Sequence, residues 1–259
     1  MNRVDFSKRR LLTGLIAGAG AALLAGCDKL GKTSWFPKVL SLAESLSENV
    51  HQFVGGRRSM AQEFSEADLS PDFRSNGNSN ASSAQYQEML ASGFANWTLR
   101  VDGLVELPQQ LTLAQLRDLP ARTQITRHDC VEGWSAIGKW TGVLLSAVLA
   151  TAKPKPEAKY LVFHCADTFD GRDGEQEPYY ESIDMNDAYH AQTILAYELN
   201  DKALPVKNGA PLRLRVERQL GYKHAKYLMR IELVANFAQL HGGKGGYWED
   251  RGYQWYAGI

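Results

Sequence analysis

Cysteine is scarce in this chain, with 3 in 259 residues. That is too few for an iron–sulfur cluster, and no Cys-x-x-Cys-His run is present to attach a haem. No Gly-x-Gly-x-x-Gly fingerprint appears either, so the usual dinucleotide cradle is missing. An excess of charge of one sign is absent as well: Lys+Arg number 29 and Asp+Glu 29, a balance that argues against a nucleic-acid binder. Beyond residue 30 no stretch is apolar for long enough to span a bilayer. The acidic stretch over 166–182, with Asp167, Asp170, Asp173, Glu175 and Glu177, lacks the closing glutamate of an EF-hand and reads as a solvated loop.

What remains is 44% hydrophobic and 22% charged, which suits one globular domain, or two small lobes, with ample core. The first 27 residues are not fold. Ser7-Lys8-Arg9-Arg10 precedes the apolar run Leu11 to Ala25, which resembles a twin-arginine export signal. An ordinary Sec signal shares the basic start and apolar middle. The run closes on Leu24-Ala25-Gly26-Cys27-Asp28, which resembles a lipoprotein cleavage site with Cys27 as the lipidated residue and Asp28 as an inner-membrane retention signal. Residues 28–92 read as an N-terminal helix and a polar linker. The helix falls over 37–54, where Leu42, Leu46, Val50 and Phe53 have near-helical spacing. The linker includes the Ser/Asn-rich run Ser75 to Ser83.

Residues 93–259 carry the regular elements. Trp97 to Leu107 reads as a hairpin turning at Asp102-Gly103. Thr112 and Gln115 form a capping box for a short helix that Pro120 ends. A strand runs into Cys130. Thr141 is placed to cap a helix through Val143, Leu145, Val148 and Leu149. Strands follow over 159–165 and 193–199, with a turn at Asn200-Asp201. Leu212, Leu214 and Val216 alternate with Arg213, Arg215 and Glu217, as in an amphipathic strand whose charges are solvated.

The most chemically dense stretch is Arg127-His128-Asp129-Cys130-Val131-Glu132-Gly133-Trp134-Ser135. A cysteine at a strand end, leading into a glycine-containing loop, is well placed to present sulfur to a cleft. Beside Arg127 and His128 its thiolate should be more accessible than in a free cysteine. Three readings stand: a nucleophile or redox thiol, a metal ligand, and a buried cysteine packing as a small hydrophobe.

This segment, followed by Trp140-Thr141-Gly142-Val143, resembles the molybdenum-ligand segment of the sulfite oxidase-like molybdopterin enzymes. The likeness is greatest to the bacterial branch that includes the periplasmic methionine-sulfoxide reductases, and it covers residues 70–259. The resemblance implies that the Cys130 thiolate binds molybdenum beside the dithiolene of one pterin; a soft thiolate suits a metal already held by sulfur. Arg127 is then placed to orient an anionic or dipolar substrate, or to pair with Asp129 or Glu132.

A second match is Asn208-Gly209-Ala210-Pro211-Leu212-Arg213, and a third is Gly221-Tyr222-Lys223-His224-Ala225-Lys226. By the resemblance, Asn208 and Arg213 bind the pterin cofactor, and His224, Ala225 and Lys226 contact its phosphate end. Between Lys207 and Arg230 lie seven Lys or Arg and one acid, Glu217, the donor-rich setting a phosphate needs. Asn76, in Phe73-Arg74-Ser75-Asn76-Gly77, corresponds to the family's cofactor-contacting asparagine. Cys165 occupies the place of a cofactor-contacting threonine, a departure that leaves either a weak polar contact or a plain core cysteine. The aromatic closing segment, Gly245 to Tyr256, reads as sealing the core edge rather than walling a pocket.

The resemblance implies an α+β fold of the sulfite oxidase molybdopterin-domain type, with mixed and antiparallel sheets and short helices. There is no room for that family's extra immunoglobulin-like dimerisation domain, so a monomer is expected. The implied activity is an oxidoreductase that moves an oxygen atom to or from a small sulfur compound, by sulfoxide reduction or sulfite oxidation. Electrons then pass through a separate partner, a membrane haem protein or a soluble cytochrome. Two rivals come from other classes: a thiol hydrolase using Cys130 with His128 or His164, and a non-catalytic lipoprotein with a Cys130–Cys165 disulfide. The export reading has its own test. Arg9→Lys with Arg10→Lys keeps the charge and removes the twin-arginine pair, so precursor should accumulate unprocessed in the cytoplasm on immunoblots of fractionated cells.

Overall fold

The computed structural model describes residues 59–171 and 174–259 of the chain, and before them Thr33, Trp35, Phe36, Val39, Leu42 and Leu46. The chain divides into Met1–Gly56 and Arg57–Ile259. In the first unit Phe36, Val39, Leu42 and Leu46 are helical, in keeping with the helix expected there. The export segment, Cys27, Val50 and Phe53 lie outside the described residues.

The second unit opens with an extended segment and then helix α1 (Ala84–Ala91), where the Ser83 hydroxyl accepts from the Tyr86 N–H. Strands β1 (Thr98–Gly103) and β2 (Gln109–Thr112) lead to α2 (Leu113–Arg117), capped by the expected Thr112/Gln115 box. The chain continues through β3 (Ala121–Asp129), β4 (Ser135–Leu144), α3 (Leu145–Ala152), β5 (Tyr160–Asp170), β6 (Gln176–Asp184) and α4 (Met185–Ala188). It ends with β7 (Ile194–Leu199), β8 (Lys202–Ala203), β9 (Arg213–Arg215) and β10 (Leu228–Val234). One sheet has the order β2-β1-β10-β5-β6, and the other β3-β4-β7-β8 with β9 also on β7. The β1–β10 pair is parallel and the rest are antiparallel. This is the expected α+β arrangement of mixed and antiparallel sheets with short helices.

The main core gathers Trp97, Leu99, Val101, Leu145, Leu149, Leu161, Phe163, Leu212, Leu214 and Ile231. A smaller cluster holds Phe73, Trp140, Ile194, Ala196 and Leu199.

Several sequence expectations are corrected. Asp102-Gly103 does not turn a two-residue hairpin. Gly103 (φ +81) ends β1 with its Cα against the Leu233 main chain, where no Cβ fits, and Asp102 is held by Arg230 Nε at 2.8 Å. Thr141 lies inside β4 and caps nothing; the helix starts at Leu145. Much of the supposed acidic loop belongs to β5 and β6, with Asp167 buried on β5. The charges of β9 are not solvated, since Arg213, Arg215 and Glu217 are all buried.

Residues 59–92 are not a free polar linker. Glu63 bridges to Thr126 on β3. Gln192 holds Ala61 by both its N–H and its carbonyl, at 2.7 and 3.0 Å. Ser70 exchanges bonds with Ile137 on β4. Phe73 packs edge-on against Trp140, with ring centroids 4.9 Å apart. Hydrogen bonds to main chain and one aromatic anchor thus fasten a strap whose composition reads as loop. Phe73→Ala should lower unfolding free energy by about 3 kcal/mol, the usual cost of an emptied aromatic site, measured by urea titration of the cofactor-free protein.

Candidate active site

Cys130 sits at the tip of the β3–β4 hairpin. Asp129 pairs with Ser135, the Cys130 N–H donates to Trp134 O at 2.9 Å, and the Gly133 N–H donates back to Cys130 O at 3.0 Å. Gly133 supplies the left-handed residue of this turn, at φ +85. The hairpin tip forms one wall of a cavity. The strap contributes Asn76, Gly77 and Asn78, and β5 contributes Asp167 and Phe169. Tyr179, Tyr222, His224 and Lys226 form the opposite side, while Trp248 and Tyr253 close the rim. The C-terminal aromatics therefore wall the cavity, contrary to the reading that they only seal the core.

That wall is fixed by a buried charge cluster. Lys223 Nζ lies 2.7 Å from Glu181 Oε2 and 2.5 Å from Glu249 Oε1, all three side chains at 1% exposure or less. Burial alone would lower the lysine, but the two carboxylates outweigh it and raise it. Burial raises Glu181 well above the usual carboxylate range. Lys223 follows Tyr222 and Glu249 follows Trp248 in sequence, so one ion cluster positions both rings.

The flanks of Cys130 point away from it. Arg127 Nε binds Asp129 at 2.9 Å on a half-exposed surface and lines a separate cavity with Gln62, Phe64 and Glu217. The structure does not bring Arg127 to the Cys130 cavity. His128 is fully buried, and its Nδ1 takes a hydrogen bond from Arg215 Nη1 at 2.9 Å. Burial, with Arg215, Arg213 and Lys226 nearby, pushes this imidazole well below its ordinary range. Burial likewise raises the Cys130 thiol. The expectation of an activated thiolate is therefore corrected: Arg127 is paired with Asp129, and His128 is held neutral by burial and by Arg215. His164 is paired to Glu232 at 2.9 Å, so neither histidine is placed as a base for a thiol hydrolase. Cys130 and Cys165 are both free, which removes the disulfide rival.

The sequence-matched residues converge on the cavity or lie directly behind it. Asn76, His224 and Lys226 line it, and Asn208, Arg213, Ala225 and Cys165 are buried. Arg213 donates to Asn208 O at 3.0 Å and His224 O at 3.3 Å. Burial and the Arg215 charge lower it to about 9. His224 Nε2 bonds Gln219 O at 3.0 Å. Lys226 Nζ is held by the main-chain oxygens of Asn76 at 2.6 Å and Lys207 at 3.3 Å, and by that of Asn78. Burial, then Arg213, lowers the lysine to about 7.

Several buried polar atoms here have no partner: Asn76 Oδ1, both amide atoms of Asn208, Arg213 Nε, His224 Nδ1 and Asp167 Oδ1. Native interiors leave few such groups, and each costs about 1–3 kcal/mol when unsatisfied. Their concentration on four segments around one cavity marks the place of a polar, multidentate ligand. Among the described residues no three His, Cys, Asp or Glu side chains form a metal-binding group, so a metal here would meet Cys130 as its protein ligand and depend on the same ligand for further donors.

Residues 87–241 match the family described as the oxidoreductase molybdopterin binding domain. The chain belongs to this family. The unpaired donors and acceptors fit a molybdopterin, whose phosphate, ring nitrogens and sulfurs are many-sided hydrogen-bonding partners, and the Cys130 thiol fits its metal. The chain is 42% identical over 63% of its length to a protein of Azospira oryzae provisionally named protein-methionine-sulfoxide reductase subunit YedZ1. It is 36% identical over 53% of its length to the protein-methionine-sulfoxide reductase catalytic subunit MsrP of Gluconobacter oxydans. The matches cover 56% and 47% of those proteins, so the chain spans about half the length of the curated relatives it matches. The crystal structure of the sulfane dehydrogenase SoxCD from Paracoccus pantotrophus matches 54% of this chain and 39% of that one, at 26% identity and a TM-score of 0.48.

Sequence reading missed Asn78, Asp167, Phe169, Tyr179, Tyr222, Trp248 and Tyr253 as cavity residues. Burial raises Asp167 from 3.8 to about 6, against the opposing Lys226 charge and the Asn78 bond. A raised folded-state value means that this group's stability contribution is present below 3.8 and lost as pH rises through about 6. In cofactor-free protein, Asp167→Asn should therefore raise the melting temperature relative to wild type more at pH 7.5 than at pH 4, by scanning calorimetry.

Proposed function

We propose that this domain carries out molybdenum-dependent oxygen-atom transfer, reducing the sulfoxide of a small thioether. The observation that carries the reading is the set of unpaired buried polar atoms around the Cys130 cavity. Molybdopterin, when bound, supplies a metal that exchanges an oxygen atom with a two-electron change. The chain supplies the rest. Cys130 gives up its proton on metal binding, as a coordinating thiol does. Asn208, Arg213 and His224 offer donors and acceptors to the cofactor, and the cationic Lys226 faces its anionic end.

The substrate class follows from the walls. The lining residues include one cation, Lys226, and its ammonium is already held by three carbonyls. The lining also carries the rings of Phe169, Tyr179, Tyr222, Trp248 and Tyr253 and two acids, Glu132 and Asp167. Such a surface favours a neutral sulfur compound, since sulfur–aromatic contacts contribute about 0.3–1.5 kcal/mol each, over an anion such as sulfite. The names of the two relatives agree with sulfoxide as substrate. The overall change is sulfoxide plus two electrons and two protons to thioether plus water. The sequence contains no haem, iron–sulfur or dinucleotide motif, so the electrons come from a separate partner, a membrane haem protein or a cytochrome. The twin-arginine-like start and Cys27 support a periplasmic enzyme anchored to the inner membrane.

Protein from a molybdopterin-competent host should hold about one molybdenum per chain, as one thiolate completes one site, and reduce methyl sulfoxides with reduced viologen. Cys130→Ser should abolish that turnover, and full activity in this variant would overturn the reading. Arg127→Ala should leave turnover within about threefold, because an exposed ion pair contributes little. Faster ferricyanide-coupled oxidation of sulfite would reverse the assigned direction.

A further inference from the structure

We propose that the helix following Trp35 lies along the surface of a phospholipid membrane, with Trp35, Val39, Leu42 and Leu46 set into the lipid. The proposal rests on the reading that the chain is anchored at Cys27, and it adds a second point of attachment. Thr33 Oγ1 accepts from the Phe36 N–H at 3.4 Å, as a helix N-cap does. The Val39 N–H donates to Trp35 O at 3.1 Å, and Phe36, Val39, Leu42 and Leu46 are helical. Steps of four, three and four residues from Trp35 to Leu46 put these four side chains on one face.

That face is uncovered. Exposure runs from 48% at Val39 and 55% at Trp35 to 66% at Leu46 and 70% at Leu42. Other exposed large apolar side chains, such as Leu107, Val131 and Tyr189, lie far apart in sequence. A single exposed apolar residue is ordinary, whereas a continuous row marks a surface that something covers.

The chain before the helix says what covers it. Leu11 to Ala25 is an apolar run, and it ends at Cys27 in the setting of a lipidated cysteine. Trp35 follows Cys27 by eight residues, which span at most about 28 Å fully extended. The apolar face therefore begins within reach of the bilayer to which the chain is tied, and a tether of this kind raises the effective concentration of lipid around it. Among the described residues no helix is long and apolar enough to cross a membrane, so the helix lies on the surface and does not span. By the same spacing Glu44 and Glu48 stand half a turn from the apolar row, the two-sided pattern of an interfacial helix. Tryptophan suits the headgroup level, where its ring is apolar and its N–H meets water. Between Trp35 and Glu48 the charges are Lys38, Glu44 and Glu48, so apolar burial and not attraction to anionic lipid holds the helix.

The test uses the full chain, exported and processed in its host, then purified and reconstituted into vesicles of phosphatidylethanolamine and phosphatidylglycerol. Leu42→Cys and Glu44→Cys are each labelled with a maleimide fluorophore, and wild type treated alike gives the background from Cys130 and Cys165. Quenching is measured with spin-labelled phospholipid and with acrylamide. Lipid should quench the dye at 42 at least about threefold more than the dye at 44, as for one face sunk into the acyl boundary, and acrylamide should show the reverse order. Adding Leu46→Asp to Leu42→Cys should bring lipid quenching at 42 down towards that at 44. Equal lipid quenching at the two positions overturns the proposal. So does a dye at 42 shielded from both quenchers, the mark of a protein surface over the row. Mass spectrometry of the mature chain judges the anchor separately. A Cys27 without acyl chains overturns the anchoring reading, while the quenching ratio still decides the helix.

Discussion

Two guanidinium groups buried against one indole set the terms for the rest of this domain. Arg213 and Arg215 lie two residues apart on β9, and both face the Trp140 ring, with Cζ 5.0 and 4.5 Å from its centroid. The two cations are treated differently. Arg215 is neutralised by Glu217 at 2.5 Å, both side chains fully buried, and its remaining N–H fixes His128. Arg213 has only neutral carbonyls. A buried charge without a counter-charge is expensive, so the core behind the cavity carries a standing preference for an anion. The Cys130 hairpin is joined to the same unit, because His128 is the last fully buried residue of β3 before the cysteine.

Much of the site was legible from local pattern, and what escaped was set by distant partners. The turn holding Cys130 needs only its own glycine and hairpin bonds, and the Thr112/Gln115 cap is closed within one helical turn. Asp102-Gly103 has the composition of a hairpin, yet its neighbour is β10, reached through Arg230, 128 residues along the chain. The alternation of Arg213, Leu214 and Arg215 suggested one wet face. Both faces are dry because the arginines are covered by Trp140 and held by Glu217, Asn208 and His224, none of which periodicity can weigh. Asp167 looked like one acid among several in a loop. The β5 bulge buries it, and a bulge leaves no reliable trace in sequence.

The cavity is assembled from chain segments far apart in sequence. The hairpin comes from one sheet, Asp167 and Phe169 from the other, and the aromatic rim from the last part of the chain. The Lys223–Glu181–Glu249 cluster joins the rim to β6, while Phe73 joins the strap to β4. Both ties run between side chains, one ionic and one aromatic, and they fix the walls of the cavity from outside its lining.

Lys226 shows how such a tie can escape comparison altogether. Its ammonium is held by the carbonyls of Asn76, Asn78 and Lys207, and a carbonyl is the same atom in every residue. Substitution at 76 or 78 leaves these acceptors in place, so this tie by itself puts no demand on the side chains there. The family match begins at residue 87, beyond Phe73, Asn76 and Asn78. A fragment cut at that boundary would retain the motifs around Cys130, Asn208 and Lys226 and lose Asn76 and two of the three carbonyls around the lysine, together with the Phe73 ring that packs against Trp140. The limit of sequence similarity is thus not the limit of the folding unit.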